Sequence, residues 1–216
     1  MNSIAYCHNS KAMTKEELQQ KYDNLAPRYS RGMWVENHVF GVQRLRASSM
    51  LHASGKVLDV ACGTGENFPF FKTVTDITAI DLSPQMLEIA RARAEKLELT
   101  IDCQLMDAEA LEFPDKTFDT VVSTLSTCTF PDPLVALREM GRVCRADGRI
   151  LLLEHGRSRW NWLGHYQDRN AHQHFQQAGC RWNQQPLELV QAAGLRIIAA
   201  HRMFFGMFHT VEAVPA

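Results

Sequence analysis

Apolar and polar positions alternate between two periods along this chain. Short apolar runs of five to seven residues, "KVLDVA" at 56–61 and "DITAID" at 76–81, carry the mark of buried strands. "LTIDCQLMDA", "FDTVVST" and "RILLLEHG" predict a third, fourth and fifth strand, and "RIIAAHR" and "MFHTVEAV" a closing pair. Between them the period lengthens to that of helices. "SPQMLEIARARAEKL" places Ser83 at the N-cap and Pro84 in the first turn, with Met86, Ala90, Ala94 and Leu97 on one stripe. A helix from Pro133 to about Arg145 takes Asp132 as its cap, and "LELVQAAGL" forms another. Strands alternating with helices over about 150 residues imply an α/β fold, a doubly wound and mostly parallel seven-stranded sheet with an antiparallel last strand.

Ahead of the first strand lies a helical segment, residues 1–53. Thr14 and Glu17 form a capping box that opens a helix through "KEELQQKYDNL". "PRYSRG" is expected to break it, and a second helix is expected from about Trp34 to His52. Residues 54–216 then form the α/β domain. Its rhythm is interrupted at 157–185, "RSRWNWLGHYQDRNAHQHFQQAGCRWNQQ", a polar, aromatic and histidine-rich insertion after the fifth strand. Ligands of open α/β sheets bind at the carboxyl ends of the strands, so both the N-terminal segment and the insertion are expected over the site.

With 216 residues, 45% of them hydrophobic, the chain can bury one ordinary core. A net charge of -1 with interspersed signs gives no nucleic-acid stripe and no polybasic membrane patch. No apolar run approaches the roughly 18 residues of a spanning helix. The first residues lack the apolar core of a signal peptide. Cys7, Cys62, Cys103, Cys128, Cys144 and Cys180 include no C-x-x-C pair and read as reduced thiols of a cytoplasmic protein.

The candidate chemistry starts at "VLDVACGTGENF", residues 57–68. A dinucleotide fingerprint needs a third glycine, and Phe68 stands in its place, which weakens a nicotinamide reading. Asp81 at the end of the second strand suits ribose hydroxyls. The motif resembles the first motif of class I S-adenosylmethionine-dependent methyltransferases, an acid in the strand followed by G-x-G. "MDAEAL" resembles the acid-and-small-residue motif after the third strand. "FPDKTFDTVVSTLSTCTFPDP" and "EMGRVCRADGRILLLEHG" resemble the fourth-strand and fifth-strand motifs. "YDNLAPRY", with Tyr22 and Tyr29, is similar to the N-terminal element of the ubiquinone/menaquinone methyltransferase group. The segments "LLLEHG" and "AGCRWN" show local similarity to alkyl-thiol methyltransferases and to relatives acting on phospholipid amines.

The resemblance implies a Rossmann-like methyltransferase fold that binds S-adenosylmethionine and releases S-adenosylhomocysteine. It implies that Asp59 orders the turn and the cofactor's amino group, that Asp81 takes the ribose and that Asp107 and Ala108 receive the adenine. Ala61, Cys62, Gly63, Gly65, Leu82, Met86 and Ser123 complete the expected cofactor set, and Tyr22 and Tyr29 are expected over its methionine end. His155, just past the fifth strand, is the candidate base. The partner is a small-molecule methyl acceptor, with a thiol slightly ahead of a quinone carbon or a lipid amine. A noncatalytic cofactor-binding protein and a nicotinamide oxidoreductase are the readings from other classes. His165, His172, His174 and Cys180 follow no common zinc spacing, and no metal site is expected.

Overall fold

The computed structural model describes residues 13–71, 73, 74 and 76–216; Cys7 and the first residues lie outside it. Seven strands form one sheet: β1 (Lys56–Val60), β2 (Asp76–Asp81), β3 (Ile101–Leu105), β4 (Phe118–Thr124), β5 (Cys144–His155), β6 (Leu195–Met203) and β7 (Phe208–Pro215). Their order is β3-β2-β1-β4-β5-β7-β6. The first five are parallel, and β7 runs antiparallel between β5 and β6. This is the arrangement that the motif resemblance implies, with the order reversing between β1 and β4, and such a switch point opens a crevice at the carboxyl edge.

Pleating distributes β1 between two cores. Leu58 and Val60 join the layer under α4 (Pro133–Val143) and α6 (Pro186–Ala192), among Leu137, Met140 and Leu189. Val57 faces the opposite layer, under α2 (Val42–Met50) and α3 (Pro84–Lys96), with Phe68, Leu87 and Ala90. Asp59 shares the face of Val57, since side chains alternate along a strand. The expected caps are in place. Ser83 accepts from Met86 N, and Asp132 accepts from Leu134 N and Val135 N. The stripe on α3 holds for Met86, Ala90 and Ala94, whereas Leu97 caps the helix and is exposed.

The N-terminal segment departs from expectation. A single helix α1 (Lys15–Val39) runs through "PRYSRG" with Pro27 inside it. A proline removes one backbone donor, and here the cost is outweighed by the burial of Leu18, Ala26 and Met33 on both sides of it. The break falls at Gly41 instead, where φ is +66°, and α2 follows. The insertion is also more regular than its composition suggests, forming α5 (Asn161–Ala178) closed by Gly179 in the left-handed region. Gln167, buried, ties it down: its amide oxygen accepts from Ser158 N at 2.6 Å and its nitrogen donates to Gly156 O and Trp182 O. Phe175 packs inward, but Trp160 and Trp162 are exposed.

Candidate functional site

A cleft of about 720 Å³, part of it open to solvent, sits at the carboxyl edge of β1, β2, β3 and β4. Two strand ends open it. Ala61 follows β1 with φ +53° and Leu125 follows β4 with φ +55°, so both chains turn away from the sheet at the switch point. After β1 the loop closes on itself through Gly65 N to Cys62 O and Phe68 N to Gly65 O. Gly65 has φ +77°, and a Cβ there would lie 2.6 Å from the Phe68 ring. The residue that replaces a dinucleotide fold's third glycine is thus the buried lid of this turn.

Three acids frame the cleft. Asp81 accepts from Gly63 N at 2.8 Å and from Ser83 N at 2.9 Å, which fixes the glycine loop against the end of β2. Burial pushes its carboxyl up to about 6 against the pull of those amides. Asp59 lies deeper and is wholly buried. Its Oδ1 accepts from Asn67 Nδ2 at 2.9 Å, while its Oδ2 has no hydrogen-bond partner among the described residues. Burial pushes this carboxyl up to about 7. Asn67 in turn accepts from Arg46 Nη1 at 2.8 Å and from Thr124 Oγ1 at 3.2 Å, so one buried network joins β1, its loop, α2 and β4. Asp107 follows β3 and is ion-paired with Lys15, which also reaches Glu109 at 3.1 Å.

Helix α1 lies across the cleft. Lys15, Leu18, Gln19, Tyr22 and Tyr29 line it, and the two tyrosine rings are 6.3 Å apart. The helix is tethered from several directions. Asp23 accepts from Ser83 Oγ and from Gln85 N at the start of α3. Ser30 bonds Thr64 and Glu66, and Glu66 pairs with Arg93 at 2.7 Å. The far wall is the loop after β4, through Ser126, Thr129 and Phe130. Buried Glu154, on β5, shapes that loop by accepting from Ser126 N and Thr127 N, each at 3.1 Å.

Of the expected cofactor residues, the structure brings Tyr22, Tyr29, Ala61, Gly63, Asp81, Leu82, Met86, Asp107 and Ala108 into one lining. Asp59, Cys62, Gly65 and Ser123 stand behind it. Ser123 is buried and paired with Ser126 Oγ, and Cys62 is a buried thiol pushed well up by desolvation. His155 is not among the lining residues; its Nδ1 faces the sulfurs of Cys128 and Cys180. The insertion contributes no lining residue, but Arg181 binds the far wall through Cys128 O and Phe130 O. Lys15, Asp23 and Glu154 were missed by sequence reasoning because each acts on a residue distant in the chain and carries no motif.

A family model described as a methyltransferase domain matches residues 58–152. The mitochondrial methyltransferase OMS1 of Saccharomyces cerevisiae is 28% identical over 92% of this chain and 46% of its own length. A phosphatidylethanolamine N-methyltransferase of Cereibacter sphaeroides is 39% identical over 52% of this chain and 57% of its own. The chain spans about half the length of these curated relatives. Among solved structures, a possible histamine N-methyltransferase from Thermotoga maritima superposes with a TM-score of 0.67 at 20% identity, covering 91% of this chain and 99% of that one. At that identity the likeness speaks for the fold.

Proposed function

Because the chain belongs to the class I S-adenosylmethionine-dependent methyltransferases, we propose that it moves a methyl group from S-adenosylmethionine to the amine of a lipid headgroup. The cleft's residues fit that cofactor. S-Adenosylmethionine is cationic, and the cleft is lined by the partly buried Asp81 and Asp107 and backed by buried Asp59, which has an oxygen without a hydrogen-bond partner among the described residues. Asp81 would hold the ribose hydroxyls, Asp107 and Ala108 the adenine, and the Gly63 loop with Tyr22 and Tyr29 the methionine end. When bound, the cofactor supplies a methyl group activated by its sulfonium sulfur.

The chain's own contribution is positioning and exclusion of water. Helix α1 acts as the lid, held by Asp23 and Ser30, and its tyrosines wall the cleft against solvent. Among the described lining residues the titratable ones are Lys15, Tyr22, Tyr29, Asp81 and Asp107. None is a histidine, and burial holds Tyr22 protonated. An amine acceptor therefore enters already deprotonated, and the rate rises with pH up to the pKa of that amine.

The observation that carries the lipid reading is an aromatic ridge on the same sheet edge. Trp160, Trp162, Phe204 and Phe205 are all exposed, and the Trp160 ring lies tilted against Phe205 with centroids 3.6 Å apart. They sit beside the start of β7, which pairs with the end of β5. Indole rings beside exposed Arg159 and Arg202 match the membrane–water interface. Among the described residues no helix is long and apolar enough to cross a membrane. The similar bacterial protein named for phosphatidylethanolamine supports this acceptor.

The test is methyl-labelled S-adenosylmethionine with phosphatidylethanolamine vesicles, short-chain phosphatidylethanolamine, a demethylated quinol and an alkyl thiol. Label in both lipid forms is expected. The Trp160→Ser and Phe205→Ser variants should lose transfer to vesicles and keep transfer to the dispersed lipid. Label in the thiol or quinol alone would overturn the lipid assignment and restore the other acceptors.

A further inference from the structure

Three side chains outside the cleft converge on one point. Cys128 lies in the loop after β4, His155 is the last residue of β5, and Cys180 follows α5. Their sulfurs are 3.1 Å apart, and His155 Nδ1 lies 3.4 Å from Cys180 Sγ and 3.8 Å from Cys128 Sγ. Both cysteines are buried and reduced. We propose that Cys128, His155 and Cys180 form a binding site for a thiophilic cation of the zinc class.

The triangle has the dimensions of a coordination shell. Sulfur at about 2.3 Å and imidazole nitrogen at about 2.0–2.1 Å from a tetrahedral zinc stand roughly 3.5–3.8 Å from one another. Two of the three separations here are within that range or close to it. The sulfurs need only spread by less than about 1 Å to admit the ion. A disulfide would instead require them to close by about 1 Å, and it would leave the imidazole nitrogen aimed at a bond that cannot accept it as a ligand. Two thiolates and a neutral imidazole also balance a divalent charge, which suits a buried position. Binding releases the two thiol protons to solvent and changes no oxidation state.

The surroundings are built to hold the three ligands. Gly179 ends α5 in the left-handed region and sets the position of Cys180. Arg181 N donates to Cys128 O at 2.9 Å, which locks the two cysteine segments together. The His155 ring packs against Phe208 with centroids 5.2 Å apart. His174, a neighbour in the histidine-rich insertion, is instead stacked on Trp182 at 4.1 Å. Three protein ligands leave a fourth position open, the pattern of zinc sites that also take water or substrate. Ser126 and Thr129, on either side of Cys128, line the cleft, so the ion would brace its far wall.

The test does not depend on methyl transfer. The reduced full-length protein, freed of metal by dialysis, is titrated with Co²⁺. One equivalent should produce a thiolate-to-cobalt charge-transfer band and the visible bands of a tetrahedral centre, and Zn²⁺ should displace them. Cys128→Ser and Cys180→Ser should each weaken Zn²⁺ binding by roughly 100-fold or more. Because those variants are buried, the wild-type protein provides a second readout. At a urea concentration where buried thiols react through transient opening, one equivalent of Zn²⁺ should shield Cys128 and Cys180 from alkylation while leaving Cys103, which is partly exposed, reactive. Absence of a charge-transfer band in the reduced protein, or equal alkylation with and without Zn²⁺, would overturn the site. Isolation of a Cys128–Cys180 disulfide that binds no cation after reduction would do the same.

Discussion

Asp59→Asn isolates the energetic cost of the deepest acid. In the folded protein this carboxyl is held at about 7, and in the unfolded chain it returns to its ordinary 3.8. Between those values the folded state keeps a proton that the unfolded state has released. The folded state binds more protons there, so stability falls as pH rises and the loss is complete above about 7. At ~1.4 kcal/mol per pH step the full interval amounts to about 4 kcal/mol, and the part between pH 5 and 7 to about 3 kcal/mol. Asparagine keeps an oxygen for Asn67 Nδ2 and does not titrate. Its stability relative to wild type should therefore climb by about 3 kcal/mol from pH 5 to 7 and stay level beyond. Asp81, held at about 6, titrates in both proteins, and because its charge is among the causes that raise Asp59 it cancels from the difference only in part. Urea midpoints of the ligand-free proteins at pH 5, 6, 7 and 8 give the curve. A gap that does not change with pH would refute the argument from burial.

Asp81→Ala removes the acceptor of two backbone amides and the proposed ribose anchor. Its affinity for S-adenosylhomocysteine by calorimetry should drop at least ~10-fold, since bonds to charged groups contribute about 1.5–3 kcal/mol. Gly65→Ala should destabilise by more than about 2 kcal/mol, from a disfavoured φ and from the Phe68 ring 2.6 Å from the new Cβ; a thermal midpoint within a degree of wild type would contradict this. Gln167→Ala leaves Ser158 N and two carbonyls without their partner, and a loss of about 2–3 kcal/mol is expected in urea unfolding. Asp132→Ala uncaps α4 and should cost ~1 kcal/mol in the same assay.

What could be read in the chain depended on how far apart the cooperating residues lie. Short apolar runs, one containing Asp59 and one ending in Asp81, announced both the strands and the edge where a ligand would sit, because a strand places its last residues at the sheet's rim. The caps Ser83 and Asp132 were legible for the same local reason. Pro27 misled, since the burial that outweighs its missing donor comes from residues on both sides of it and from partners far along the chain. The pairing of Lys15 with Asp107 spans 92 positions and leaves no trace in spacing. His155 stood out as a base and Cys180 only beside the insertion's histidines, and the convergence of three segments is what gives them and Cys128 a common chemistry. Trp160 and Trp162 carry no local signal of their exposure, since a large ring is equally at home in a core and on a surface that meets something apolar.

The left-handed residues Ala61 and Leu125 have a consequence for how such an enzyme changes. The cleft exists because two neighbouring chains part at the rim of the sheet, so its location is a property of the chain's course. One bank, from Ala61 to Asp81 and Asp107, is tied into the strands by backbone amides. The other, Ser126 to Pro131, is a separate loop held through Glu154 and Arg181. On the proposed function, mutation could therefore rewrite the second bank, and with it the choice of acceptor, while the first would continue to hold the same cofactor. Divergence of substrate is cheap in this architecture, and divergence of cofactor is not.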